Sequence, residues 1–176
     1  MKRIEQVKEM RLASTKLPTR KAADFPTLFM ENRQPKNTYI LIPSTTSENR
    51  TYIPIGFFTQ NDITHNSCHI IPDATLFHFG ILTSMMHMAW VRSTCGRLES
   101  RYRYSKDIVY NNFPWPVVSE KDTKKIEELA QAVLDARLEF PESSLADLYD
   151  PRTMPPTLVR AHTDLDKAVD KLYKST

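Results

Sequence analysis

Between Arg97 and Tyr104 the chain reads RLESRYRY, and no other stretch restricts its local conformation so tightly. Charged residues take every second position, Arg97, Glu99, Arg101 and Arg103, with Leu98, Ser100, Tyr102 and Tyr104 between them. A strand sends successive side chains to opposite faces, whereas a helix would spread the four charges around its circumference. The spacing predicts an extended segment over 97–104 with all four charges on one side. An acid flanked by arginines has a use in the DNA major groove. A carboxylate accepts from the cytosine N4 amino group and a guanidinium forks onto guanine O6 and N7, so Glu99 beside Arg101 could read both halves of one G·C pair. The competing reading is a solvated ion pair on a strand, worth at most about 1 kcal/mol, and charge runs are more often that.

The residues before this segment predict a helix that delivers the chain into it. In DATLFHFGILTSMMHMAWVRSTCG, Gly80 is the expected break, Thr83 or Ser84 the cap, and Gly96 the left-handed residue just past the last turn. Met85, Met88, Ala89 and Arg92 share a face, with Met86, Trp90 and Val91 beside it, which is the pattern of a core helix. His87, Trp90 and the methionines would also suit a cofactor pocket, but packing is the commoner use of such spacing. After Lys106 and Asp107, the two prolines of NNFPWP bar regular helix, and its aromatics are expected to seal the core.

Further upstream, the apolar runs Tyr39–Ile42 and Tyr52–Phe58 flank a Ser/Thr/Glu/Asn loop, which predicts an antiparallel pair of strands. Pro43 and Pro54 lack amide donors, so these strands are expected to lie near an edge or to carry irregularities at those points. Arg50 and Asn49 in the loop could touch nucleic acid or simply face water. A further strand is expected within 61–72. His65, Cys68, His69 and Cys95 are four possible zinc ligands, but zinc sites bring close pairs twice over and the second pair is missing, so no metal is expected.

The chain ends differ in charge. Residues 1–40 hold nine Lys/Arg against four Asp/Glu, 41–118 six against five, and 119–176 nine against twelve, so the acidic end is poorly suited to lie along phosphates. Ile4, Val7, Met10 and Arg11 predict an amphipathic N-terminal helix, either a lid over a core or a phosphate-following element, before Pro18 and Pro26 intervene. Ile126, Leu129, Ala130, Val133, Leu134, Arg137 and Leu138 predict a helix over 121–139 stopped by Pro141. Leu158, His162, Leu165, Val169 and Leu172 predict a second, opened by Pro155 and Pro156, with His162 as a packing residue. The two apolar stripes are expected to pack as an antiparallel helical hairpin.

Two cysteines, no apolar leader and no apolar run of roughly 18 residues predict a cytoplasmic chain with free thiols and no membrane span. The only glycines are Gly56, Gly80 and Gly96, which removes the Gly-rich phosphate loops. No Asn-Pro-Pro-aromatic or Asp…Glu-x-Lys set is present, so no catalytic residue is assigned. The fold class expected is α+β, with a basic helical lead-in over 1–36, a small mixed α/β domain with antiparallel strands over 37–118 and a helical region over 119–176. A protein-interaction scaffold that docks partners through the helical hairpin is the alternative function.

The runs PTLFMENRQP, YILIPSTTSENRTYIPIGF, LFHFGILTSMMHMAWVR, CGRLESRYRYSKDIVYNNFPWP and LYDPRTMPPTLVRAHTDLDKAVD resemble the C-terminal part of MmeI-like type II restriction-modification enzymes. Those proteins join a nuclease and an S-adenosylmethionine-dependent adenine methyltransferase to a target-recognition domain and a helical tail. The resemblance implies that 37–118 reads double-stranded DNA and that Glu99 and Arg101 choose one base pair. It also implies that Arg103 acts with Asn66 or Ser67 at a neighbouring pair. Arg97, Arg50 and Lys106 are the expected backbone contacts. It further implies that the nuclease and methyltransferase domains lie before residue 1, that the helical tail continues past Thr176, and that S-adenosylmethionine and Mg2+ belong to the parent enzyme, with no cofactor in this fragment.

Overall fold

Tyr39–Pro43 form strand β1 of the computed structural model, which describes residues 2–31 and 33–174. β1 pairs antiparallel on both sides, with β3 (Gly56–Phe58) through Tyr39 opposite Phe58 and with β4 (Cys68–Pro72) through Ile40 opposite Ile71. Tyr39, Ile40 and Ile42 are all buried, so this strand is covered on both faces and reads as a continuous apolar run. The predicted strand pairing holds, but β1 is the central strand and not an edge. Pro43 is tolerated because it is the last residue of β1, and Pro54 lies before β3.

The chain passes from this sheet to a second one at Ser44. Its N–H donates to the Ser67 carbonyl (2.8 Å) and its carbonyl accepts from the Tyr104 N–H (2.8 Å). Thr45–Thr46 then form β2, which pairs with β6 (Arg101–Arg103), and β6 pairs with β5 (Gly96–Leu98), all antiparallel. The single extended segment expected over 97–104 is therefore a tight hairpin that reverses at Glu99 and Ser100.

Two helices lead into that hairpin. α3 (Leu76–Leu82) runs through Gly80 without a break, and at Gly80 it packs against α5 (Glu120–Leu138). A Cβ at Gly80 would lie 2.7 Å from Ile126 Cγ2 and 3.2 Å from Ala130 Cβ. α4 (Met85–Thr94) is capped as predicted by Ser84, whose Oγ accepts from the His87 N–H at 3.3 Å. Gly96 does not take the left-handed conformation. Cys95 is extended, no glycine has a positive φ, and Gly96 opens β5. One residue thus separates the helix from the hairpin. After β6 a π-helical turn, Lys106–Tyr110, carries the chain to Phe113, which is buried as expected.

α5 is capped by Ser119, and a short α6 (Leu145–Leu148) that the spacing did not predict precedes α7 (Pro156–Tyr173). Leu158, His162, Leu165 and Val169 of α7 are buried, and α7 packs on α5 and α4. The expectation placed at Thr176 lies outside the described residues.

Contacts divide the chain into two units, 1–34 and 35–176. The first holds α1 (Lys2–Leu12), α2 (Leu17–Lys21) and a 3-10 turn at Ala22–Asp24. No residue of α1 is buried. Arg11 ties the unit together by donating to the carbonyls of Ala22, Phe25 and Leu28, each at 2.8 Å.

Candidate functional site

The register of the second sheet sorts the charged residues. Directly opposite residues share a face, so Thr45, Arg103 and Gly96 make one row, Thr46, Tyr102 and Arg97 the next, and Arg101 and Leu98 the third. Successive rows point to opposite faces. Arg101 and Arg103 stand together on the outer face, while Arg97 shares the other face with Tyr102 and Thr46, both buried. The expectation that all four charges share one side is corrected, because a two-residue turn pairs odd positions with even ones and moves Arg97 across.

Glu99 occupies the turn with φ 58°. That left-handed conformation costs a non-glycine residue about 1–2 kcal/mol. Its Oε2 accepts from Arg101 Nη2 at 2.8 Å, with the Glu99 and Arg101 side chains 76% and 47% exposed. A pair so exposed contributes at most about 1 kcal/mol to stability, so the strained tip is not explained by folding energetics. It displays an acceptor-only group beside a planar five-donor group, which is the complement of a cytosine amino group beside a guanine O6/N7 edge.

Arg103 is exposed, and its guanidinium has no hydrogen-bond or ion-pair partner among the described residues. Gly96 stands opposite, and a Cβ there would meet nothing within 4 Å, so the space beside Arg103 is open. Asn66 and Ser67 lie in the exposed turn before β4, closed by Cys68 N–H on the His65 carbonyl (3.1 Å). Through the Ser67–Ser44 bond this turn is tied to the strand whose next residue, Thr45, faces Arg103.

Two of the remaining expected contacts are engaged locally. Arg97 Nη1 donates to the Ser100 carbonyl at 2.8 Å and its guanidinium lies 4.0 Å from the Tyr102 ring centroid. Lys106 pairs with Asp107 at 2.6 Å. The charge of Arg50 is a smaller cause of the lowering of the Asp150 carboxyl to about 2, which is mainly due to the Arg152 side chain and backbone. His65 Nδ1 meets Ser67 Oγ at 3.0 Å, His69 Nε2 lies 3.2 Å from the Tyr104 carbonyl, and no group of three or more His, Cys, Asp or Glu among the described residues is placed to hold a metal. Glu48 escaped the sequence reading. Its carboxyl is held below the usual range by its own backbone N–H and then by the Ser100 hydroxyl, with Arg97 and Arg101 adding to the effect. Nothing in sequence spacing marks it.

Behind the hairpin a buried polar chain fixes α4. Arg137 donates from Nη1 to the Ile55 carbonyl (2.8 Å) and from Nε to Tyr149 Oη (2.9 Å), and the Tyr149 hydroxyl meets His162 Nε2 at 2.7 Å. His162 stacks on Tyr52 with centroids 4.0 Å apart, Tyr52 donates to Asp166 Oδ2 (2.7 Å), and Asp166 Oδ1 accepts from the Met85 N–H (2.7 Å) at the start of α4. On α4 itself, His87 Nε2 lies 3.0 Å from Tyr104 Oη, just past β6. The last helix is thereby coupled to the helix that carries the hairpin.

A short sheet that presents an ion-paired, outward-facing hairpin on a helix-braced support defines a target-recognition module joined to a helical domain. The family model described as "MmeI, target recognition domain" matches residues 1–117, and that described as "MmeI, C-terminal domain" matches residues 118–176. A Bacillus subtilis (strain 168) protein named DNA methyltransferase A is 42% identical over 172 residues, which is 98% of this chain and 20% of that protein. The solved structure of the Type IIL restriction-modification enzyme MmeI in complex with DNA is similar at a TM-score of 0.89 and 52% identity, over 99% of this chain and 24% of that one. This chain belongs to the MmeI family, spanning its target-recognition and C-terminal domains. It covers about a fifth of the curated relative's length and about a quarter of the solved chain's.

Proposed function

We propose that this chain reads base edges in the major groove of duplex DNA as the sequence-recognition part of a restriction enzyme and adenine methyltransferase. The observation that carries the reading is the Glu99–Arg101 pair, 2.8 Å apart on an exposed hairpin tip. Glu99 accepts from the cytosine N4 amino group while Arg101 forks onto guanine O6 and N7 of the same pair. Arg103, with no side-chain partner among the described residues and open space beside it, reads an adjacent pair together with Asn66 or Ser67. The name of the solved relative, which was studied with DNA bound, supports the same assignment. Arg50, and Lys106 with its Asp107 partner, contribute at most to the phosphate backbone.

The parent protein carries out its methyl transfer and cleavage in domains outside these residues, where S-adenosylmethionine and Mg2+ bind, and it acts in the cytoplasm. This chain supplies neither a Gly-rich loop nor, among the described residues, a carboxylate cluster that fits those groups. On this reading its contribution to the parent protein is recognition. The helical-hairpin scaffold is disfavoured, because the apolar stripe of α7 is already buried within the chain.

The test is selection from a randomised duplex pool, followed by binding measured against salt. The expected outcome is an enriched motif with at least one fixed G·C pair, a loss of about 10- to 100-fold when that pair is exchanged, and affinity that falls linearly with salt on logarithmic axes. A pool with no enriched position, or salt-insensitive binding, would contradict it.

A further inference from the structure

We propose that Arg97 clamps the Glu99–Ser100 turn from the inner face of the hairpin, as a positioning residue for base reading and not a phosphate contact. The inference rests on the function proposed above. Both anchors of Arg97 lie in its own hairpin. Nη1 donates to the Ser100 carbonyl at 2.8 Å and the guanidinium stacks on Tyr102 at 4.0 Å. The side chain therefore lies along the Tyr102 face, opposite to the face that carries Arg101 and Arg103.

The grip has something to hold. Glu99 sits in a left-handed conformation with no glycine to ease it, and such strain persists only where neighbouring contacts over-determine it. Bidentate base reading also requires a guanidinium held in a fixed plane, which a loosely tethered two-residue turn would not give. A clamp on the inner face supplies that rigidity without occupying the outer one.

The test compares Arg97→Ala and Arg97→Lys in the full 176-residue chain, with thermal unfolding recorded for each. Binding is measured at several salt concentrations to the duplex that the wild-type chain selects. It is also measured to duplexes altered at the pair located by Arg101→Ala and at the pair located by Arg103→Ala. Arg97→Ala should cut discrimination at the Arg101 pair by about tenfold, leaving the Arg103 pair and the salt slope unchanged. Arg97→Lys should not restore it, since an ammonium neither stacks flat nor forks. Arg97→Lys carries the test alone if Arg97→Ala does not fold.

A uniform loss over all duplexes, with the salt slope reduced by about 0.9 and restored by lysine, would make Arg97 a phosphate contact and overturn the clamp. Unchanged discrimination in folded variants would overturn it as well. A wild-type chain that discriminates at no position overturns the base-reading function itself, and this inference with it.

Discussion

His87 and His162 are buried imidazoles, each 1% exposed or less, and burial holds both neutral with the pKa pushed from 6.5 down to about 3. At His162 the nearby Arg137 pushes the same way, and a neutral ring suits the Tyr149 hydroxyl that meets its Nε2. The folded pKa lies below the unfolded one, so the stability that these groups contribute is complete above about pH 6.5 and is lost as pH falls toward 3. Each contributes a slope of about 1.4 kcal/mol per pH unit in that window. Asp166, raised mainly by burial, has the opposite sign, because its contribution is present at low pH and lost as pH rises through its folded pKa. The lowered carboxylates, Glu48, Asp62, Asp147 and Asp150, act only below the ordinary carboxylate range. Urea unfolding from pH 7 to pH 5 should therefore show stability falling with a slope that approaches two protons. A flat profile over that range would contradict the burial of these histidines. His162 was legible as a packing residue from its place on an apolar stripe, whereas its partners Arg137, Tyr149, Tyr52 and Asp166 were not, since they meet only through tertiary packing.

Gly80 illustrates how elements set what a residue does. In sequence it signals a break, but α3 runs through it and the missing side chain lets α5 approach. Alanine would gain about 1 kcal/mol of helix propensity, yet its Cβ would sit 2.7 Å from the Ile126 methyl. Overpacking of that kind costs about 1–3 kcal/mol. Gly80→Ala should therefore lower the unfolding free energy by about 1 kcal/mol net, and a stabilised variant would show that the two helices are not held so close. α5 and α7 were readable because long apolar stripes at helical spacing have few other solutions. The β5–β6 hairpin was not, because Glu-Ser carries none of the Asn-Gly or Asp-Gly chemistry that announces a two-residue turn. β2, only two residues long, exists through its pairing with β6 and has no pattern of its own. Glu99, Arg101 and Arg103 were singled out as candidates by their alternation and by the family likeness. What spacing concealed was the turn at Glu99 and the face on which Arg97 stands.

Across the whole molecule, the helical domain serves the hairpin. α7 reaches α4 through Asp166 and the Met85 N–H, and α4 leads through Cys95 alone into β5. The tip that carries Glu99 and Arg101 is consequently the exposed end of a braced structure, which is what reading base edges requires. The most direct test exchanges the two charges, Glu99→Lys together with Arg101→Asp, and measures binding to duplexes that differ only in the orientation of the pair read by these residues. Lysine seeks guanine and aspartate accepts from cytosine, so the preference should invert between C·G and G·C, with about 1–3 kcal/mol at stake. A folded double variant that keeps the wild-type preference would contradict base reading by this pair.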